Sequence, residues 1–268
     1  MPARTRLTVA DLARLKGVRQ LTMLRIFTLD EAEAAEEAGI DIVSAPPELV
    51  TEPRYRDVAP SLFTMTGRNS RVMGTAATML SFAAEMLDAD ADAVYSSGSL
   101  DTIKFLADEH LPVVGHVGLV PSRASSTGGF RAVGKSADGA LQVYRDCVAH
   151  EQAGAIAVEM EVVPVEVASE ISRRMQRLSV WSMGAGAGCD AQYLFAMDIL
   201  GTNRDHIPRH SKVYRNFAAE YDRLQRERVA AFREFIDDVQ SGAFPETGHV
   251  VNMQPAELES FLARIDAD

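Results

Sequence analysis

Two glutamates interrupt an otherwise apolar stretch of the sequence, residues 154–164, which reads GAIAVEMEVVP. Glu159 and Glu161 are the only polar residues between Ile156 and Val163, and Pro164 closes the stretch. A short apolar run of this kind predicts a buried parallel strand. An unpaired ionised carboxylate in an apolar interior costs several kcal/mol, so each acid must be neutral, paired or placed at a solvent-lined strand end.

The two acids are expected to lie on one face of the strand at different depths, and we assign them different roles. Residues two apart point to the same face of a strand. We interpret Glu161, nearer the carboxyl end, as a catalytic acid/base. Glu159 lies one layer deeper and is interpreted as structural or as a modulator of Glu161, because neighbouring carboxylates raise one another's pKa. The alternative for Glu161 is an ion pair with Arg131 or Lys135.

Other candidate residues come at the ends of other predicted strands. His116 follows LPVVG (111–115), and Tyr95 and Ser97 follow a fourth strand. If the strands form a parallel barrel, these ends meet at the edge where active sites lie. His116 is therefore a predicted catalytic residue, and Tyr95 and Ser97 are predicted substrate contacts. The alternative for His116 is a buried neutral imidazole bonded to a backbone carbonyl.

A glycine-rich loop, GAGAG at 184–188, follows the seventh predicted strand. Its backbone N–H groups could bind an anion at the start of a helix predicted from Asp190, so Gly184 and Gly186 are candidate substrate contacts. Close packing of backbone is the alternative. The two cysteines, Cys147 and Cys189, are too few for a disulfide framework and lack metal-ligand spacing, so both are interpreted as reduced packing residues.

The elements that must position these residues alternate along the whole chain. After a leading helix at 8–15, eight strands are predicted, at 20–24, 40–45, 71–75, 93–96, 111–115, 156–163, 178–183 and 197–200, with a long loop at 46–60, a lid-like insertion at 116–139 and helices between most strands. This order predicts one α/β domain over residues 1–268, a single (β/α)₈ TIM barrel with an N-terminal helical lead (1–18) and a C-terminal helix and tail (211–268). A doubly wound open sheet is the alternative, but no G-x-G-x-x-G turn follows the first strand.

The overall composition excludes some classes of partner. With a net charge of -11, the chain is not expected to bind nucleic acid, because that affinity comes from clustered Lys and Arg. No apolar run approaches the roughly 18 residues of a membrane span, and the N-terminus lacks the apolar segment of a secretory signal. We therefore expect a cytoplasmic protein.

Several stretches together resemble the ketopantoate hydroxymethyltransferase (3-methyl-2-oxobutanoate hydroxymethyltransferase) family, a TIM-barrel branch of the phosphoenolpyruvate mutase and isocitrate lyase superfamily. The stretches are LPVVGHVGLVPS (111–122), the Gly128-Gly129-Phe130 turn with Val133-Gly134, AIAVEMEVVPVEVASEIS (155–172), MGAGAGCDAQYLFAMDILG (183–201) and HIPRHSKVYRNF (206–217). The likeness covers most of residues 90–245.

The resemblance implies an activity and a set of partners. Members of the family transfer a hydroxymethyl group from 5,10-methylenetetrahydrofolate to 2-oxoisovalerate in pantothenate biosynthesis, through an enolate normally stabilised by Mg²⁺. They assemble into large homo-oligomers. The residue that matches Glu161 is the family's catalytic acid/base, and the residue that matches His116 lies in its substrate site.

The sequence departs from the family where the metal ligands belong. The Gly-Asp-Ser expected after strand two is replaced by Ala45-Pro46-Pro47, and the Ala-Asp after strand three by Gly74 or Thr75. Tyr95-Ser96-Ser97 stands where Lys-x-Glu is expected.

A hard divalent cation would thus have too few oxygen ligands, so no metal ligand is predicted, although Glu48 or Glu52 could replace one. Three hypotheses follow: a hydroxymethyltransferase, a metal-independent or metal-altered C–C lyase or aldolase acting on another 2-oxo acid, and a non-catalytic binding or assembly barrel.

Overall fold

The computed structural model describes residues 4–67 and 75–267. Within them, eight parallel strands pair in chain order and close into a barrel, which confirms the predicted (β/α)₈ architecture. The strands are β1 (Leu21–Arg25), β2 (Ile42–Ala45), β3 (Phe63–Thr66), β4 (Ala93–Tyr95), β5 (Val113–Gly118), β6 (Ala157–Glu161), β7 (Ser179–Met183) and β8 (Ala191–Phe195).

Helices connect most of the strands. They are α1 (Val9–Leu15), α2 (Leu29–Ala38), α3 (Pro47–Val50), α4 (Tyr55–Val58), α5 (Ala76–Asp88), α6 (Leu100–Asp108), α7 (Ala137–Gln152), α8 (Val165–Arg174) and α9 (Ala196–Leu200). A 3₁₀ helix at Pro121–Thr127 occupies part of the predicted lid.

One predicted strand was wrong, and another lies mostly outside the described residues. β3 lies at Phe63–Thr66, just after the predicted loop, and pairs with β2, whereas most of the predicted strand at 71–75 lies outside the described residues. All four residues of β3 are buried, so the segment lacks the alternation that marks a half-buried strand. At the other end of the barrel, Ala191–Phe195 forms β8 where a helix was predicted, and the predicted strand at 197–200 is helix α9.

Side chains alternate between the two faces of each strand, and this alternation separates two apolar clusters. One fills the barrel interior and includes Met23, Phe63 and Trp181. The other, which includes Val158 and Met160, packs the outer face of the strands against the helices. In β6, Ala157 belongs to the interior cluster, so Glu159 and Glu161 also face the interior. Their predicted common face is thus confirmed.

Residues 216–268 form a second compact unit, separate from the unit of residues 1–215. Its helices are α10 (Phe217–Ser241) and α11 (Pro255–Ile265), with a short 3₁₀ helix at Thr247–His249. The predicted tail helix therefore begins at Phe217 rather than at residue 211. The expectation that residues 1–268 form one domain stays a prediction. Among the described residues, no helix is long and apolar enough to span a membrane.

Candidate active site

A cavity of about 480 Å³ opens at the carboxyl end of the barrel. Most strands contribute to it with the last side chains of their interior face, because alternation brings those side chains to the mouth of the barrel. The lining residues are Arg25, Phe27, Ser44, Gly67, Tyr95, His116, Pro121, Glu159, Glu161, Met183, Tyr193, Phe195, Asp198, Pro208 and His210.

His116 lies between the two glutamates of β6. Its Nδ1 is 3.4 Å from Oε2 of Glu159, and its Nε2 is 3.3 Å from Oε2 of Glu161. The pairing of β5 with β6 sets this geometry, since His116 is in register with Glu159 and Gly118 with Glu161. The structure thus brings together Glu161 and His116, the two predicted catalytic residues, and places Glu159 one layer deeper.

The hydrogen bonds of the His116 ring determine its protonation. Nε2 lies 2.8 Å from the carbonyl oxygen of Leu119, which can only accept, so this nitrogen carries a proton. Nδ1 lies 2.8 Å from the hydroxyl of Tyr95. Burial alone would lower the pKa of His116, but the Tyr95 oxygen and the two glutamates raise it well above its usual value. His116 is therefore an imidazolium that offsets the cost of the buried Glu159 and the half-buried Glu161.

Tyr95 is a neutral hydroxyl donor at the same wall. Burial raises the pKa of its phenol, and the charge of Glu159 adds to the rise. Ser97 is buried beside it and opposes the rise through a hydrogen bond to the phenol. Ser97 is not among the described residues that line the cavity, because it lies past the end of β4, where Arg123 binds its carbonyl oxygen. Its role as a direct substrate contact stays a prediction.

Arg25 was missed at the level of sequence, because the first strand was predicted to end at Leu24. β1 includes Arg25, and the interior positions Leu21 and Met23 place this side chain on the interior face. Its Nη1 donates to Oγ of Ser44 at 2.8 Å, and the guanidinium carbon lies 5.2 Å from the centre of the Phe27 ring. The signal that could have found it is the alternation of Leu21, Met23 and Arg25 up to the strand end.

Asp198 and His210 form the opposite wall, and sequence reasoning did not select either. Asp198 is buried and accepts hydrogen bonds from Asn203 at 2.8 Å and from Ser211 at 2.9 Å. Burial lowers the pKa of His210, although Glu161 and Asp198 oppose the shift. A neutral imidazole is therefore available close to Glu161.

The glycine loop takes a different course from the predicted one. It leads into β8, so there is no helix N-terminus at which Gly184 and Gly186 could hold an anion. A Cβ on Gly184 would lie 2.8 Å from His210, and one on Gly186 would lie 2.3 Å from Val165. Close packing, the stated alternative, accounts for both glycines, and their role as substrate contacts stays a prediction.

The donor set at the strand ends does not fit a hard divalent cation. β2 ends at Ser44 and Ala45, β3 ends at Thr66 just before Gly67, and β4 ends at Tyr95. The match of Thr75 to the end of strand three was wrong, because Thr75 caps α5, and Gly74 lies outside the described residues.

Glu48 and Glu52 are not among the residues described as lining the cavity, which leaves the proposed replacement ligands without a place at the site. Across residues 4–67 and 75–267, no group of three or more His, Cys, Asp or Glu could hold a metal ion. In the same residues, the ionic partner of Glu161 is His116 rather than Arg131 or Lys135.

Comparison with known proteins relates the chain to one enzyme family. The model of the ketopantoate hydroxymethyltransferase family matches residues 70–247. The 3-methyl-2-oxobutanoate hydroxymethyltransferase of Hyperthermus butylicus is 31% identical over 99% of this chain and 98% of its own length. The protein of the same name from Nitratidesulfovibrio vulgaris is 28% identical over 97% of this chain and 90% of its own.

Solved structures support the fold. A 2,3-dimethylmalate lyase, a member of the PEP mutase/isocitrate lyase superfamily, matches with a TM-score of 0.53 and 13% identity over 97% of this chain and 99% of its own. A phosphonopyruvate hydrolase matches with a TM-score of 0.51 and 15% identity over 97% and 98%.

Proposed function

The chain belongs to the ketopantoate hydroxymethyltransferase family, and we propose that it transfers a one-carbon unit to a 2-oxo acid in the cavity at the carboxyl end of the barrel. The acid named for its relatives is 3-methyl-2-oxobutanoate. The single observation that carries the proposal is the position of Glu161, whose carboxylate lies in the cavity beside the His116 imidazolium.

Glu161 acts as the general base in this proposal. The bond between carbon three of the acid and its hydrogen breaks, the proton passes to Glu161, and the electron pair moves into an enolate. A positioned carboxylate contributes about 10²–10⁴-fold to such a transfer. His116 keeps its proton and lowers the electrostatic cost of Glu161 in its ionised form, and the Tyr95 hydroxyl is a donor for the developing enolate oxygen.

The one-carbon donor is 5,10-methylenetetrahydrofolate in the family, and we extend this donor to the chain as part of the proposal. Carbon three of the enolate forms a bond to the one-carbon unit, water supplies the oxygen of the new hydroxymethyl group, and the carrier leaves as tetrahydrofolate. The product is an acid one hydroxymethyl group larger. In the family this reaction belongs to pantothenate biosynthesis, and we include a cytoplasmic location and a homo-oligomeric assembly in the proposal.

The proposed reaction does not use a metal ion, because the side chains at the ends of β2, β3 and β4 provide no carboxylate to hold one. The same observation favours a second candidate, a C–C lyase or aldolase that works on another 2-oxo acid. Such an enzyme would use Glu161 as the acid that returns a proton to carbon three. The two candidates differ in whether a one-carbon donor is consumed.

A turnover assay tests the proposal. Wild-type protein with 3-methyl-2-oxobutanoate and 5,10-methylenetetrahydrofolate should release tetrahydrofolate, and Glu161→Gln should lower kcat/KM by about 10²–10⁴-fold with the fold intact. The matched control is Glu109→Gln, an exposed acid that follows α6, which should keep wild-type turnover. Retained turnover in Glu161→Gln would remove this residue from the role of base. If 2-oxo acid is consumed without tetrahydrofolate release, the lyase candidate replaces the transferase.

A further inference from the structure

Two contacts fix the Arg25 guanidinium, and they do not use all of its N–H groups. Its Nη1 donates to Ser44, which is buried at the end of β2, and its guanidinium packs over Phe27. An arginine fixed in this way on two sides loses little side-chain entropy when its remaining N–H groups bind a ligand. The group lies in the wall of the same cavity that contains Glu161.

The carboxylates of the cavity have other partners. Glu159 and Glu161 face His116, and Asp198 accepts from Asn203 and Ser211. In the part of the chain that the structure describes, no carboxylate oxygen lies within 4.0 Å of the Arg25 guanidinium, although three acids line the same cavity. A half-buried cation without a counter-ion is costly, and binding of an anionic ligand would remove that cost.

We propose that Arg25 binds the carboxylate of the 2-oxo acid and supplies the positive charge that a divalent cation would otherwise supply. This inference rests on the proposed function. The planar fork of a guanidinium matches the two oxygens of a carboxylate, and its charge does not depend on pH in the range where the enzyme would work. A metal ion beside Arg25 would be repelled by it. The ends of β2, β3 and β4 hold no acid, and the end of β1 holds this cation.

The position of Arg25 also orients the substrate. Arg25 at the end of β1 and Glu161 at the end of β6 line the same cavity. A carboxylate bound to Arg25 would therefore keep carbon three of the acid in the cavity that contains the proposed base. Tyr193 is buried in the middle of β8, and the charge of Arg25 opposes the rise of the Tyr193 pKa that burial produces.

Binding can be measured without turnover. Calorimetric titration of wild-type protein with 3-methyl-2-oxobutanoate, in the presence of a chelator of divalent cations, should give the same Kd as titration without it. Arg25→Met should raise the Kd at least about tenfold, as expected for the loss of hydrogen bonds to a charged group. Arg25→Lys, which keeps the charge without the fork, should fall between the two. The matched control is Arg145→Met, which removes an exposed arginine of α7 and should bind as wild type does.

The outcomes separate this inference from the proposed function. If wild-type protein binds the acid and Arg25→Met binds it equally well, Arg25 is not the carboxylate contact, while the proposed function stands. If the chelator abolishes wild-type binding, a metal ion supplies the charge, and the inference is again wrong. If wild-type protein binds neither 3-methyl-2-oxobutanoate nor pyruvate, 2-oxobutanoate or oxaloacetate, both the proposed function and the inference fail. A melting temperature of Arg25→Met close to that of wild type shows that lost binding is not lost folding.

Discussion

The two edges of the barrel both carry charged side chains but differ in how those charges are paired. At the amino edge, the acids that precede β2, β4 and β8 are all bound by cations of the same unit. Asp41 accepts from Arg4 and Arg19, Asp92 from Arg56, and Asp190 from Lys16. At the carboxyl edge, the glutamates of β6 share a single imidazolium, and Arg25 has no carboxylate partner among the described residues.

The difference separates structural charges from candidate catalytic ones. At the amino edge, a backbone N–H group also donates to each acid: Thr22 N donates to Asp41, Thr64 N to Asp92 and Val180 N to Asp190. An acid bound by both a cation and the backbone is fixed as part of the structure. Glu161 retains unused acceptor capacity toward a cavity.

The size of a cavity does not distinguish the two edges. A cavity of about 610 Å³ lies at the amino edge, beside Lys16, Arg19 and Asp190, and is larger than the candidate site. Yet Lys16 is paired with Asp190, Arg19 with Asp41 and Arg173 with Glu170. Loss of one partner of a buried pair is strongly destabilising, whereas acid/base work requires a group that can exchange a proton with a ligand in the cavity.

The largest effect in this comparison is expected from removal of Asp190. Its carboxylate binds Lys16 at 2.7 Å, Ser172 at 3.2 Å and the backbone N–H of Val180 at 2.8 Å. Asp190→Ala leaves Lys16 buried without its partner and should lower the free energy of unfolding by about 3–5 kcal/mol. Urea unfolding measures the loss, and turnover of the folded fraction should stay within about twofold of wild type.

The control for that prediction is a surface pair of the same residue types. Lys104 and Asp108 are 2.8 Å apart on α6, and both side chains are 61% exposed. Asp108→Ala should change the free energy of unfolding by less than about 1 kcal/mol. If Asp190→Ala and Asp108→Ala lost the same free energy of unfolding, the charges of the amino edge would not have this structural role. A loss of turnover in folded Asp190→Ala would give its charges a catalytic role instead.

A smaller effect is expected from the pH dependence of His116 at the carboxyl edge. The pKa of His116 is raised above its usual value of 6.5. Its contribution to stability is therefore complete below about pH 6.5 and is lost as the pH rises through the higher folded-state pKa. The difference in unfolding free energy between wild type and His116→Gln should fall over this window by at most about 1.4 kcal/mol per pH unit.

Glu159→Gln sharpens this measurement, because it removes one of the two carboxylates that raise the pKa of His116. The pH range over which the contribution of His116 to stability is lost should then end at a lower pH. An NMR titration of the imidazole follows the same change in pKa directly. A difference that does not change with pH, or that grows as the pH rises, would contradict the assignment of His116 as an imidazolium.

The sequence predicted an element correctly where the hydrophobic pattern of a segment and its burial in the fold favour the same secondary structure. The apolar run around Glu159 and Glu161 predicted a strand with two acids on one face, and β6 has this form. The position of His116 after an apolar strand predicted its place at the carboxyl edge. It lies inside β5 rather than after it, which does not alter the face on which it lies.

The sequence was insufficient where tertiary pairing overrides local pattern. Phe63–Thr66 contains two threonines in four residues and becomes a strand because β2 and β4 lie on either side of it. Ala191–Phe195 follows the glycine-rich loop, after which a helix was predicted. The segment forms a strand instead because it pairs with both β7 and β1 and so closes the barrel. Arg25 was missed because the first strand was predicted to end one residue before it, and its contact with Ser44 of β2 joins residues that are distant in the sequence.

Exchange of the hydrogen at carbon three tests most directly whether Glu161 is a base in the carboxyl-edge cavity. In D₂O with a chelator and no one-carbon donor, wild-type protein should remove the carbon-three proton signal of 3-methyl-2-oxobutanoate, followed by proton NMR. Glu161→Gln should slow this exchange by about 10²–10⁴-fold, and Glu109→Gln should leave it unchanged. Exchange at the wild-type rate in Glu161→Gln, or no exchange in wild-type protein, would contradict the assignment.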